Sequence, residues 1–280
     1  MKDIVITGAS RGIGRALALA IAQGSSGPLR LVLTARDEAS LRDVASQVEA
    51  AGASALSIAG DLSTLAGSRA LGEALAATLQ APATLVHNAG LWPSRRVLTE
   101  DGLETAFVVN CVGPVVMQQV LLARQLVDRI LVVGAGLMVK GRYSTERTPT
   151  GQDFSAWRTY CTTKLAFAVA EREVAAQHPE LDVVVLHPGV VRTDLGARRG
   201  PLGWLLRLAK RRFESPEVCA ARLKGVLERE RWSPPGQARW LFEDTEQPWP
   251  EVAEDERTRQ SIREMMAAYL ATPPGAHAQA

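Results

Sequence analysis

Cysteine is scarce. Three stand in 280 residues, Cys111, Cys161 and Cys219, with neither paired nor metal-ligand spacing. That excludes a disulfide scaffold and fits a reducing compartment. Net charge is almost absent: 32 Lys+Arg against 30 Asp+Glu leave +2, so bulk charge makes no case for nucleic acid as a partner. No apolar stretch approaches the ~20 residues that cross a bilayer. The opening MKDIVITGAS enters a strand and a glycine turn at once, without the apolar core or cleavage site of a signal peptide. The expectation is a cytoplasmic protein. The four histidines are scattered and form no ligand cluster, so no metal is expected.

What is present is apolar and alternating. Hydrophobic residues make up 46%, enough for one sizeable core at this length. Short Val/Leu/Ile-rich runs at 3–7, 30–35, 55–60, 84–90, 129–136 and 182–189 read as strands covered on both faces. Alanine-rich segments between them, such as GRALALAIAQ and EASLRDVASQVEAAG, carry helical periodicity with a glycine stop. The repetition predicts an α/β fold: a doubly wound parallel sheet of Rossmann type in three αβα layers. One domain over 1–270 is expected, with an inserted lid-like segment near 195–215 and a disordered tail at 271–280. Ligands on such sheets bind beyond the carboxyl ends of the strands.

TGASRGIG, at 7–14, follows the first strand and opens a helix. Gly8, Gly12 and Gly14 let the backbone approach a pyrophosphate, and the helix start offers free N–H groups and a positive dipole end. An acid at the end of the second strand would select NAD by binding the ribose 2′-hydroxyl. Ala35 stands there, followed by Arg36. A guanidinium suits a 2′-phosphate, and Arg11 is placed to reach the same group, so the cofactor expected is NADP. Asp61, in GDLS, stays open between an acceptor for the adenine amino group and a helix N-cap.

Together with HNAG (87–90), Asn110 in VVNCVG, Tyr160 and Lys164 in YCTTK, and HPGVVRTD (187–194), these motifs resemble the short-chain dehydrogenase/reductases along nearly the whole chain. The later part, with SPE (215–217) and FEDTEQPWP (242–250), looks most like the retinol-dehydrogenase-like and WW-domain-oxidoreductase-like branch. The resemblance implies an NADP(H)-dependent oxidoreductase moving a hydride between nicotinamide and a carbonyl or alcohol carbon of an apolar small molecule. Tyr160 would be the proton donor. Lys164, one helical turn on, would tune it toward the phenolate and hold the nicotinamide ribose. Asn110 would support the lysine through a local helix kink. Cofactor contacts are implied for Ser10 and Ile13 in the glycine turn, for Leu62 beside Asp61, and for Asn88, Ala89 and Gly90. They are also implied for Pro188, Gly189, Val190 and Thr193. His87 and His187 are expected to pack rather than react, and His178 and His277 to lie at the surface or in the tail. Relatives often associate through the helices carrying Asn110 and Tyr160, which implies a homodimer or homotetramer.

One departure stands out. In the family the strand before the tyrosine ends in a serine pair, and the second serine hydrogen-bonds the substrate carbonyl. Here RILVVGAG puts Gly134 and Ala135 at that place, and neither side chain can donate. Three readings stay open. A hydroxyl from Ser144 or Thr145, or less directly Tyr143 or Thr159, replaces it. Tyr160 with water suffices. Or the nucleotide pocket serves isomerisation, dehydration, cyclisation, or ligand binding without turnover. Ala135, Ser144, Trp157 and Trp204 are the candidate substrate neighbours, and Trp157 and Phe154 either line a pocket or anchor their loop. The basic, leucine-rich segment 198–213 reads as a substrate lid, a membrane-surface helix, or a helix with a solvated basic face.

Overall fold

A computed structural model describes residues 2–24, 27–192 and 213–271. Thr193, Trp204, His277, most of the lid-like segment and the tail beyond 271 lie outside the described residues. The chain runs β1 (Lys2–Thr7), α1 (Gly12–Gln23), β2 (Leu29–Ala35), α2 (Glu38–Ala50), β3 (Ser54–Ala59), α3 (Leu65–Thr78) and β4 (Ala83–His87). Then come α4 (Thr105–Phe107), a π-helical turn (Val108–Val112), α5 (Gly113–Leu122), β5 (Val127–Val133) and a 3₁₀ turn (Gly136–Lys140). The rest is α6 (Ala156–Gln177), β6 (Asp182–His187), α7 (Pro216–Leu227), β7 (Ala238–Phe242), β8 (Thr245–Gln247), α8 (Glu251–Glu254) and α9 (Glu256–Ala271).

The sheet order is β3-β2-β1-β4-β5-β6-β7-β8, parallel except for the last pair. The order reverses between β1 and β4, which creates the crevice where such sheets bind ligands. Nearly continuous apolar strands require cover on both faces, and two cores supply it. Val5, Val32, Leu85, Ile130 and Val183 pack on the side of α3, α5 and α6. Ile6, Leu33, Val86, Leu131 and Val184 pack on the side of α1, α2 and α7. The doubly wound α/β expectation holds.

Differences lie at the strand ends. The run 84–90 leaves the sheet at His87, 129–136 at Val133 and 182–189 at His187. At the first, Thr7 Oγ1 accepts from the backbone N–H groups of Asn88 and Ala89, both at 3.0 Å, and draws the chain toward the glycine turn. At the last, Pro188 has no N–H for the ladder. The sequence reading placed no strand after the basic segment, yet β7 follows it and pairs with β6. Its ARWLF carries one charge and an exposed Phe242, so its apolar signal is short.

Against the expectation that no apolar stretch approaches that length, residues 105–122 are long and apolar enough to cross a membrane by length and composition, but 78% of that window is buried in the fold. It is a core helix. Helix α9 reaches back across α6 and α5. Ile262, Met265 and Met266 are buried, Tyr269 meets Phe107 edge-on at 6.0 Å, and Arg259 and Arg263 both pair with the buried carboxylate of Glu173. Part of the surface of α5 and α6, through which the resemblance implied association, is thus covered by the chain itself.

Candidate active site

The glycine turn at Gly8 requires φ +66, and a Cβ there would lie 2.9 Å from the Ala89 backbone. Glycine is therefore needed for conformation and for clearance. Gly14 packs where a Cβ would lie 2.5 Å from Asn88 Nδ2. That amide donates to the carbonyls of Thr7 and Gly8 at 2.9 and 3.2 Å, tying HNAG to the first turn.

Beyond these strand ends opens a cleft of ≈ 730 Å³, within the range of ligand sites. At one end it is lined by Gly8, Ser10, Arg11, Gly12 and Ile13; along its length by Arg36, Asp61 and Leu62, then Asn88, Ala89 and Gly90. Its far end holds Tyr160, Lys164 and Pro188. Gly14, Gly189 and Val190 are not in that lining; Gly14 acts through packing, and Val190 is 59% exposed. Thr34, Ser40, Gly60, Val109 and Val133 line it as well, as neighbours of the motifs rather than members of them.

Asp61 is not a helix N-cap. Its carboxylate accepts from Ser63 N and Ser63 Oγ, while Thr64 caps α3. Asp37 caps α2 by accepting from Ser40 N at 2.6 Å, and that bond holds its carboxyl below the usual range. Among the described residues neither Arg11 nor Arg36 makes an ion pair.

The π-helical turn aims Asn110 inward. Its Oδ1 accepts from Leu91 N at 2.8 Å, and its Nδ2 donates to Leu91 O at 2.9 Å and to Thr163 Oγ1 at 3.1 Å. Asn110 thus ties the chain after HNAG to α6, which carries Tyr160 and Lys164. A Cβ at Gly90 would lie 3.3 Å from both Asn110 Oδ1 and Lys164 Nζ, so the cleft floor is closely built here.

Lys164 Nζ donates to Val133 O at 3.0 Å, and burial lowers its pKa to about 8. Tyr160 runs against expectation. Its pKa is not lowered by the lysine but pushed up to about 12, chiefly by burial. Trp92 lies flat on its ring, centroids 4.2 Å and planes 17° apart, leaving the phenol 6% exposed. The indole covers the phenol ring, and the ammonium is occupied with a carbonyl. Sequence reasoning missed Trp92; its signal was a large aromatic two residues past HNAG.

Beneath the lysine runs a buried polar chain. His87 Nε2 donates to Gln118 Oε1 at 2.6 Å, and Gln118 Nε2 donates to Glu171 Oε2 at 3.1 Å. His87 packs edge-on to Phe167, and burial lowers its pKa to about 4, so it is a neutral structural group. Burial pushes Glu171 up to about 8. Its carboxyl is protonated in the fold at neutral pH and ionised in the unfolded chain. Its contribution to stability is full below about pH 4 and is lost as pH rises to about 8. Glu171→Gln is therefore expected to stabilise the protein at pH 9 by on the order of 3 kcal/mol, with no gain at pH 4. Urea denaturation at the two pH values measures this.

None of the four candidate hydroxyls, on Tyr143, Ser144, Thr145 and Thr159, lines the cleft. Ser144 accepts from Arg147 N and donates its N–H to Thr148, in a turn outside the cleft. Thr145 is exposed, Tyr143 packs on Phe107, and Thr159 Oγ1 accepts from Ser155 N. His187 packs on Phe242, as expected, and His178 pairs with Glu180 at the surface. Trp157 is 49% exposed and tilts against Trp92 at 5.7 Å, beside the tyrosine rather than in the cleft. Phe154 is half-buried in the preceding loop.

Comparison with known proteins bears on the family and the fold. The family model for the short chain dehydrogenases matches residues 2–201. A Streptomyces sp. (strain C5) protein assigned as a daunorubicin C-13 ketoreductase is 32% identical over 197 residues, 70% of this chain and 68% of that protein. Mouse retinol dehydrogenase 14 is 32% identical over 212 residues, 70% of this chain and 63% of that protein, so under two thirds of its length is spanned. The fold is shared with an uncharacterised Mycobacterium paratuberculosis protein at TM-score 0.74, 20% identity and coverage of 97% and 94% of the two chains. It is also shared with an alcohol dehydrogenase from Thermococcus sibiricus at TM-score 0.64, 24% identity and coverage of 89% and 99%. With the glycine turn, the Asn110 strap and the Tyr160–Lys164 helix meeting at one cleft, the chain belongs to the short-chain dehydrogenase/reductase family, in its retinol-dehydrogenase-like branch.

Proposed function

We propose that the cleft binds NADPH and that the protein reduces the carbonyl carbon of an apolar small molecule. The observation that carries this reading is the joint facing of Arg11, Arg36, Tyr160 and Lys164 into one cleft. The residues fit the dinucleotide. Small residues at the glycine turn admit a pyrophosphate against backbone N–H groups. Arg36 lines the cleft just after β2 and would meet a 2′-phosphate, and the adjoining acid, Asp37, caps α2. Lys164 is placed to hold the nicotinamide ribose.

Bound there, the reduced nicotinamide would supply the hydride. The chain supplies the proton. Tyr160, held neutral by burial, donates its hydroxyl proton to the carbonyl oxygen, and the resulting phenolate regains a proton from solvent. Lys164 remains an ammonium at neutral pH, held by Val133 O beside the tyrosine on α6. Asn110 fixes the strap and the helix that frame them. The ketoreductase and retinol dehydrogenase relatives favour carbonyl–alcohol chemistry. A second reading, non-reductive chemistry in the same pocket, draws support from the lack of any side-chain donor at Gly134, Ala135 and Gly136.

NADPH absorbance in the presence of aldehydes, ketones and quinones tests the choice. Steady consumption supports the reductase; tight NADPH binding with no consumption of any of them supports the second reading. Arg36→Ala is expected to weaken NADPH about tenfold or more, the scale of a hydrogen bond to a charged group. NADH affinity should stay within about twofold, and titration of both coenzymes measures the difference.

A further inference from the structure

We propose that Trp92 and Trp157 form the substrate-recognition face of this site and select a carbonyl borne on a flat aromatic ring system. This rests on the carbonyl-reducing reading above and deepens it. Neither indole lines the dinucleotide cleft, while Tyr160 does. Both stand at the tyrosine: Trp92 flat on its ring, Trp157 one helical turn before it on α6 and tilted 56° against Trp92. A substrate whose oxygen reaches the Tyr160 hydroxyl therefore meets these rings.

Trp92 is held rather than loose. Both backbone groups of Leu91 are bonded to the Asn110 side chain. The following Pro93 is buried and restricts Trp92 to extended backbone. A preorganised aromatic surface binds at lower entropic cost than one that must be ordered. Trp157 leaves about half of its indole in water, an apolar surface that a ligand can cover.

Among the described residues, side-chain donors are few on the same side. Gly134, Ala135 and Gly136 offer no side-chain donor, and Ser144 and Thr159 are turned to their own turns. With one hydroxyl among the described residues of the cleft's far end to bind the carbonyl, orientation must come from the rest of the molecule. Two indoles tilted to one another supply it for a flat ring, through offset and edge contacts that a flexible alkyl chain cannot match.

The test is calorimetric titration of 2-acetonaphthone and of 2-octanone into the protein with and without NADP⁺, for wild type, Trp92→Leu and Trp92→Phe. Leucine keeps apolar bulk and removes the ring. The expected result is that Trp92→Leu loses about tenfold more affinity for 2-acetonaphthone than for 2-octanone, or ~1.4 kcal/mol, and that Trp92→Phe restores most of it. NADP⁺ affinity should be the same in all three proteins. Equal losses for the two ketones, or none, would overturn the proposal. Absence of NADP⁺ binding in wild type would instead overturn the functional reading, and the ketone titrations without coenzyme would still decide the role of Trp92.

Discussion

Replacing Tyr160 with phenylalanine is expected to lower kcat/KM for carbonyl reduction by about 10²–10⁴-fold, the range for a positioned general acid. The loss should fall at the upper end. Gly134, Ala135 and Gly136 carry no side-chain donor, so that stretch leaves nothing to polarise the carbonyl. Phenylalanine keeps the ring that Trp92 covers, and NADPH affinity should change little. Direction and pH follow from the same burial. A phenol with its pKa near 12 holds its proton through neutral pH, which serves reduction. Alcohol oxidation needs the phenolate, so its rate should rise with pH across the alkaline range. Steady-state rates in both directions from pH 6 to 10 measure both expectations. A Tyr160→Phe enzyme of near wild-type rate would remove the phenol from the chemistry.

Restoring the absent hydroxyl is expected to raise the rate. Loss of one preorganised donor of this kind typically costs about 10²–10³ in rate, and Ala135→Ser should recover at least about tenfold of it. Of the three residues, Ala135 is the one already carrying a Cβ. At Gly134 a Cβ would stand 3.1 Å from Leu186 O and 3.2 Å from Val185 Cγ1, and at Gly136 it would stand 3.2 Å from the His187 ring. A serine at those positions should misfit and bring no gain. Comparison of kcat for the three serine variants on one reactive ketone gives the answer. An unchanged or lower rate in Ala135→Ser would favour non-reductive chemistry or reduction by Tyr160 alone.

The parts legible in the sequence were local. Apolar runs announce strands wherever the sheet is covered on both sides, and TGASRGIG announces its turn because only glycine adopts φ +66 at Gly8. Tyr160 and Lys164 are four apart on one helix, so their shared face follows from spacing alone. The strength of the tyrosine as an acid does not. It is set chiefly by burial, to which Trp92 adds, brought from a distant strap by the Asn110 side chain. The cover over α5 and α6 has a signal in the sequence: Ile262, Met265, Met266 and Tyr269 recur at helical spacing in α9. The chain Gln118–Glu171 joins two helices that sequence distance separates, so only the fold reveals that this glutamate is neutral.

The most direct test of a phosphorylated nicotinamide dinucleotide in this cleft is calorimetric titration of the purified wild-type protein with NADPH and with NADH. The expected result is one site per chain, with NADPH bound at least about tenfold more tightly than NADH, as charge-assisted bonds from Arg36 would give. No measurable binding of either coenzyme, or tighter binding of NADH, would contradict the account.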